Sequence, residues 1–534
     1  MTRNRKSTQK SAPSKAPLQV VGRDDGITAE FTDLWNAKQF VELFGDDARY
    51  VEEWESWIVW DGRRWKTDPK GTRVHRFAKQ TARVLMKRAL VELAAARRLD
   101  ASDDEHKAQK KKAEGHANAS IAWAKASQDA RAIRRMIESA RTEPKLTATR
   151  VLPEGEQRGQ LVSGVRALDA DPYSLNARNG TVDLRTGKRR PHRREDLITK
   201  LAGAEFNEKA RAPRFERFLR EVLPDAEVRE FVQQFAGYSA TGDVGERIWC
   251  MLHGQGKNGK SVLLYVLLKL LGEYACMTSP ALLVAKKLED HPTDVADLCG
   301  VRLAVSSELK KGQTWDEEKI KRLTGKDVLK ARRMREDFWS FDPTHKLLVA
   351  LNHKPRVKDD SESFWDRAAL IEFNVRIPDH KVDRKLETKL VATEGPGILA
   401  WIVRGCVAWQ RAGKLALPKA IVDATKQYRH DEDKLGRFLD ERCAFGPKTN
   451  DWFEYTRDLT KDLNDWCEAQ NLYTDSGKTL AERLQRKGCE SKRGTGGAFG
   501  WLGVKLKKNL DKDGKPRKPK KTDEKRPNKA GGGQ

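Results

Sequence analysis

The sequence predicts an α/β protein centred on a nucleotide-binding strand, loop and helix. Three observations carry this. Residues Gly254-Gln255-Gly256-Lys257-Asn258-Gly259-Lys260-Ser261 form a complete G-x-x-x-x-G-K-S phosphate loop. The apolar run Ile248 to Leu252 before it reads as a buried strand, and Val262 to Leu268 after it reads as a buried helix. Two further apolar runs, Leu303-Ala304-Val305 and Leu347-Leu348-Val349-Ala350-Leu351, each lead into polar residues suited to such a site.

Composition bounds the class. The 534 residues suffice for about three domains. Charged residues make up 34% and hydrophobic residues 38%, and no apolar run approaches the ~18 residues of a membrane span. The basic start, Met1-Thr2-Arg3-Asn4-Arg5-Lys6, lacks the apolar segment of a secretory signal. Seven scattered cysteines form no C-x-x-C pair, which excludes a zinc ribbon and suits a reducing cytoplasm. The net charge is +26, and half of it sits on the two ends. Residues 1–16 carry five Lys or Arg and no acid, and residues 505–534 carry twelve against four acids. Both ends are expected to be disordered and to attract polyanions without sequence choice.

The elements follow in order. Residues 28–70 alternate aromatic and polar side chains, with Asp61-Gly62 as a hairpin turn between apolar runs. Residues 72–142 read as helices, with a solvated middle from Asp100 to Asn118. Residues 150–166 look like an excursion or linker. Asn176 to Gly187 reads as strand, turn, strand, and Pro213 to Tyr238 as helices. A final block, about 432–505, mixes helices with a basic, glycine-rich hairpin.

The chemistry concentrates around the phosphate loop. Its glycines let backbone N–H groups close on phosphate oxygens, and the following helix N-terminus favours the same anion. Gly254, Gly256, Lys257, Asn258, Gly259, Lys260, Ser261 and Val262 are therefore the residues set against a nucleoside triphosphate. Lys260 would reach the β- and γ-phosphates and the Ser261 hydroxyl would ligate Mg²⁺. Hydrolysis also needs an acid, and the second strand, Leu303-Ala304-Val305-Ser306-Ser307-Glu308, supplies Glu308 as catalytic group and metal partner. The third strand ends in Asn352, whose amide can hold the attacking water or the γ-phosphate. Arg367, after Ser361-Glu362-Ser363-Phe364-Trp365-Asp366, fits an arginine finger for a neighbouring subunit.

This order of parts, with Leu323-Thr324-Gly325-Lys326-Asp327 between acid and amide, resembles the superfamily 3 helicases. The likeness is to the helicase half of phage, satellite-phage and plasmid primase-helicases, related to the poxvirus primase-helicase. It covers about residues 30–500. The resemblance implies an AAA+-like ATPase core at 246–430, after a mixed α/β N-terminal domain at 28–205 and a helical collar at 206–245. A winged-helix module would follow at 431–505, with basic tails at 1–27 and 506–534. It implies a DNA-gripping hairpin within Leu323 to Phe341, carrying Lys326, Lys330, Arg332, Arg333 and Arg335. It also implies ATP and Mg²⁺, a ring of identical subunits that is expected to be a hexamer, single-stranded or forked DNA, room for a separate primase, and a bacterial host cytoplasm.

Two departures stand out. Many members end this second strand in two acids, whereas here Ser307 precedes a single Glu308, so another carboxylate such as Asp297 could assist. The chain also has too little sequence before residue 170 for a primase domain. The leading expectation is an ATP-driven replicative DNA helicase of a phage, prophage or plasmid. The rival is an origin-binding initiator ATPase that assembles on DNA and melts it without processive unwinding.

Overall fold

The computed structural model describes residues 30–146, 149–151, 161–163, 167–285, 293–332, 337–357, 361–470, 472, 477–494 and 497–517. The chain divides into two units. One comprises residues 1–170 with Arg193–Thr199, the other Asp171–His192 with Lys200 onward.

The first unit begins with helix Asp33–Phe44, capped by the Thr32 hydroxyl, which accepts from Trp35 N. An antiparallel sheet follows, Ala48–Val51, Ser56–Trp60 and Trp65–Asp68, in that order. The expected turn is present: Trp60 pairs with Trp65, and the Asp61 carboxylate accepts from Arg63 N and Arg64 N. Helices Thr72–Arg97, Asp104–Ala126 and Ala130–Ala140 complete the unit. Its core joins Phe40, Trp57, Val59, Val74 and Met136. Helix Asp104–Ala126 is mostly exposed, as its polar composition requires.

The second unit is built on a five-stranded, wholly parallel sheet. Across the sheet the strands run Ala275–Met277, Leu303–Ser306, Lys346–Leu351, Trp249–His253 and Ala368–Glu372. Alternate residues supply two faces. Cys250, Leu252, Val305, Leu348 and Ile371 face helices Lys260–Leu271, Ala226–Ser239 and Leu386–Ala412. Trp249, Met251, Leu347, Val349 and Leu370 face Trp315, helix Glu317–Leu323 and Tyr428 of helix Lys419–Glu432. A sheet covered on both sides explains why its strands read as unbroken apolar runs.

Helix Leu386–Ala412 is the one described helix long and apolar enough to cross a membrane, but most of it is buried against this core. It meets helix Ala226–Ser239 backbone to backbone. A Cβ on Gly237 would lie 2.0 Å from Cys406 N, so only glycine allows the crossing.

The domain limits differ from the expected ones. Strands Ser174–Ala177 and Gly180–Asp183 belong to the second unit, not to an N-terminal domain reaching 205. Leu175, Ala177, Val182 and Leu184 are fully buried in the core under the parallel sheet, which is what draws them there. The C-terminal block has its own core of Phe438, Leu459, Leu463, Trp466, Leu480 and Trp501. It contains helices Lys434–Arg442, Thr456–Ala469 and Gly477–Arg486 and a three-stranded sheet of Phe453–Tyr455, Phe499–Leu502 and Glu490–Arg493.

The basic tail expected from 506 starts later. Leu506 and Leu510 are buried, Lys508 pairs with Asp462 at 2.6 Å, and Asn509 donates to Glu454. These contacts tie residues 506–517 to the module. The tails at 1–27 and beyond 517 lie outside the described residues, as does most of the 150–166 excursion.

Candidate active site

The phosphate loop leaves the sheet at the carboxyl end of Trp249–His253 and is clamped from both sides. Gly254 N donates to Leu351 O at 3.1 Å, and Phe373 N to His253 O at 2.7 Å. Gly256, Lys257 and Gly259 have left-handed φ values of 52°, 47° and 87°. Such a run turns successive N–H groups towards one point, a nest for an anion. Gly259 is also sterically required: a Cβ there would lie 2.7 Å from Val222 and 2.8 Å from Phe218. Helix Lys260–Leu271 starts at once, so its free N–H groups face the same point.

Lys260 is not a solvated lysine. It is only 5% exposed, and its amine donates to Gly254 O, to Asn258 Oδ1 at 3.2 Å and to Asn352 Oδ1 at 3.2 Å. Burial pushes its pKa down. The expected lysine and amide therefore meet across neighbouring strands. Ser261, one residue on, is exposed in the first helical turn, and Val262 is half-buried behind it.

Glu308 stands at the same edge. Ser306, the last residue of its strand, pairs with Val349, and Glu308 follows two residues beyond it, as Asn352 follows Leu351, the partner of His253. Glu308 is exposed and takes a left-handed φ of 67°, a conformation that costs a non-glycine residue about 1 kcal/mol and is concentrated at functional sites. The charge of Asp297 acts on Cys276, in the neighbouring strand Ala275–Met277.

Arg367 lies at the opposite end of the sheet. Its carbonyl accepts from Trp249 N, at the beginning of the strand whose far end carries the loop. Five strand residues separate the two ends, about 16 Å. The guanidinium is occupied within the chain, donating to Lys321 O at 2.5 Å and Thr324 Oγ1 at 3.2 Å.

The expected hairpin is present as Leu329–Ala331 paired with Trp339–Phe341. Lys326, Lys330 and Arg332 are exposed on or beside it, and Arg333 and Arg335 lie outside the described residues. No cluster of three or more His, Cys, Asp or Glu among the described residues is placed to hold a metal by itself.

Sequence reasoning missed the brace over the loop. Asn258 Nδ2 donates to Phe373 O at 3.1 Å, Ile377 N donates to Lys257 O at 2.8 Å, and Lys257 pairs with Asp379 at 2.5 Å. That hydrogen bond holds the Asp379 carboxyl below its ordinary range. No local pattern marks residues 373–379 as loop partners, since more than a hundred residues separate them from it. His253 was also missed. Burial, followed by the charge of Lys354, pushes its pKa down.

Comparisons with known proteins find distant relatives. Residues 37–224 match the family described as D5 N terminal like, and residues 252–367, which include the loop, Glu308, the hairpin and Arg367, match a family of unknown function. The chain is 24% identical over 328 residues to a protein named as a candidate helicase, L207/L206 of Acanthamoeba polyphaga mimivirus. It is 20% identical over 353 residues to the candidate primase C962R of African swine fever virus. In these comparisons the chain resembles the D5-like primase-helicases. These alignments cover 57% and 61% of the chain but only 34% and 37% of those proteins, so this D5-like chain spans about a third of such relatives. Among solved structures, the C-terminal region of NrS-1 is 10% identical, with a TM-score of 0.37 over 66% of this D5-like chain and 93% of that one.

Proposed function

We propose that the chain is an ATP-dependent DNA helicase of superfamily 3 type, acting in replication of a phage, prophage or plasmid in a bacterial cytoplasm. It works as a ring of copies, a hexamer in this reading, moving along single-stranded DNA. The observation that carries this is the Lys260–Asn352 contact at the mouth of the phosphate loop. It unites a phosphate-binding lysine with an amide from the neighbouring strand, a pairing that simple nucleotide storage does not need.

The loop fits a triphosphate. Its left-handed turns and the helix start offer N–H donors, and Lys260 exchanges Gly254 O for β- and γ-phosphate oxygens. Release of Asn352 from Lys260 leaves its amide free to position water, and Glu308 accepts a proton from that water as it attacks. The donor set also fits Mg²⁺, which prefers hard oxygen ligands and takes few from protein. Ser261 and Glu308 would hold it, and the ion would supply charge neutralisation at the phosphates.

Arg367 serves the neighbouring copy, because its own loop is a strand length away. The hairpin carries the DNA contacts of Lys326, Lys330, Arg332, Arg333 and Arg335. The C-terminal helices and hairpin read as a winged helix, and a separate primase can act beside the ring. The test is ATP turnover stimulated by single-stranded DNA, measured beside strand displacement of a forked duplex. Both activities together support the helicase reading. Stimulated turnover without displacement supports the initiator that melts an origin. No turnover removes both.

A further inference from the structure

The hairpin has two unlike faces. Strand alternation sends Leu329, Ala331, Trp339 and Phe341 to one side, where Leu329 and Ala331 are buried and the two aromatic rings pack on the core. The other side carries Lys330, Arg332, Phe338 and Ser340, all exposed. Three of these suit a solvated face, and Phe338 does not. It is 51% exposed although nothing in the alternation requires an apolar residue there. Continuing the pairing of Ala331 with Trp339 sets Arg332 opposite Phe338. The Arg332 guanidinium lies 4.7 Å from the ring centroid and the Lys330 amine 4.9 Å from it. Two cations thus hold an exposed ring in place.

We propose that Phe338 is a stacking platform for one unpaired base of single-stranded nucleic acid, with Lys330 and Arg332 taking the adjoining phosphates. This rests on the helicase reading and adds to it a contact with the base. Every base has a π-face, so such a platform grips any sequence, as a translocating hairpin must. A ring between cations also suits a polyanion whose bases are free, and suits a duplex poorly because its bases are already stacked.

The test is equilibrium binding of a fluorescent single-stranded oligonucleotide to the full chain, across a salt series with a non-hydrolysable ATP analogue. Phe338→Ala should weaken binding about 5- to 100-fold. The slope of log affinity against log salt should stay unchanged, because no charge is lost. Phe338→Trp should bind like wild type. On an abasic oligonucleotide the wild type and Phe338→Ala should bind alike. Lys330→Gln with Arg332→Gln should instead flatten the salt slope on both oligonucleotides. A melting curve for each variant checks folding. Equal affinity of Phe338→Ala and wild type for the normal strand overturns the platform while leaving the helicase reading intact. So does a Phe338→Ala defect that persists on the abasic strand. If the wild type binds no single strand at any salt, the reading beneath the proposal falls and takes the platform with it.

Discussion

Lys260, Glu308 and His345 show three ways in which a single side chain answers to its surroundings. Lys260 is held by three acceptors in the absence of phosphate, so Lys260→Ala should lose two to three orders of magnitude in turnover. Its neighbours also lose a buried partner, so a modest fall in melting temperature should accompany the kinetic loss. Nucleotide turnover and a thermal melt check both. Glu308→Gln keeps size and loses the charge that acts on water, so ATP should bind and stay uncleaved. Glu308→Gly should be equally inactive yet unfold no earlier than wild type, because glycine tolerates the left-handed φ of 67°. His345 is a buried imidazole whose pKa burial, aided by Lys346, pushes down to about 4. The unfolded chain, near pKa 6.5, binds the proton first. This group's contribution to stability is therefore undiminished above pH 6.5 and falls as pH drops towards 4, by on the order of 3 kcal/mol. His345→Gln should flatten that part of the pH–stability profile. An unchanged profile would place the acid sensitivity elsewhere.

At the scale of elements, the strands and motifs were legible because their signals are local. The phosphate loop, the Asp61-Gly62 turn and the helices of 72–142 each declare themselves within a few residues. What escaped depended on distant partners. Leu175 and Val182 look like any hairpin residues, and nothing nearby tells which core they join. Residues 506–517 read as a charged tail because Leu510 is nearly alone among lysines, yet Lys508 and Asn509 find their partners, Asp462 and Glu454, far upstream. A pair of truncations separates the two halves of that tail. Removing residues 518–534, which carry six Lys or Arg and two acids, should weaken DNA binding at low salt and spare ATP hydrolysis. Ending the chain at 505 should also remove Leu506 from the C-terminal core and cost roughly 2–5 kcal/mol. Differential melting of the two truncations reads this directly. Equal melting temperatures would mean the 506–517 contacts add nothing.

At the scale of the whole molecule, the parts proposed for hydrolysis do not meet within one chain. Loop, lysine, acid and amide share the carboxyl edge of the sheet, while Arg367 sits at the opposite end, bound to Lys321 and Thr324 beneath the hairpin. On the reading proposed above, Arg367 serves a second copy. Leaving those acceptors would then loosen the hairpin's base as the neighbour's nucleotide is engaged. The central claim is thus a site shared between copies, and subunit mixing measures it most directly. Lys260→Ala and Arg367→Ala should each be nearly inactive alone. Mixed in equal amounts with exchange demonstrated, they place an intact loop beside an intact finger at about a quarter of interfaces in a closed ring. Recovery of ATP turnover in the mixture is the result expected. A mixture that stays inactive, in rings whose activity falls only in proportion when wild type is doped with either variant, would contradict the shared site.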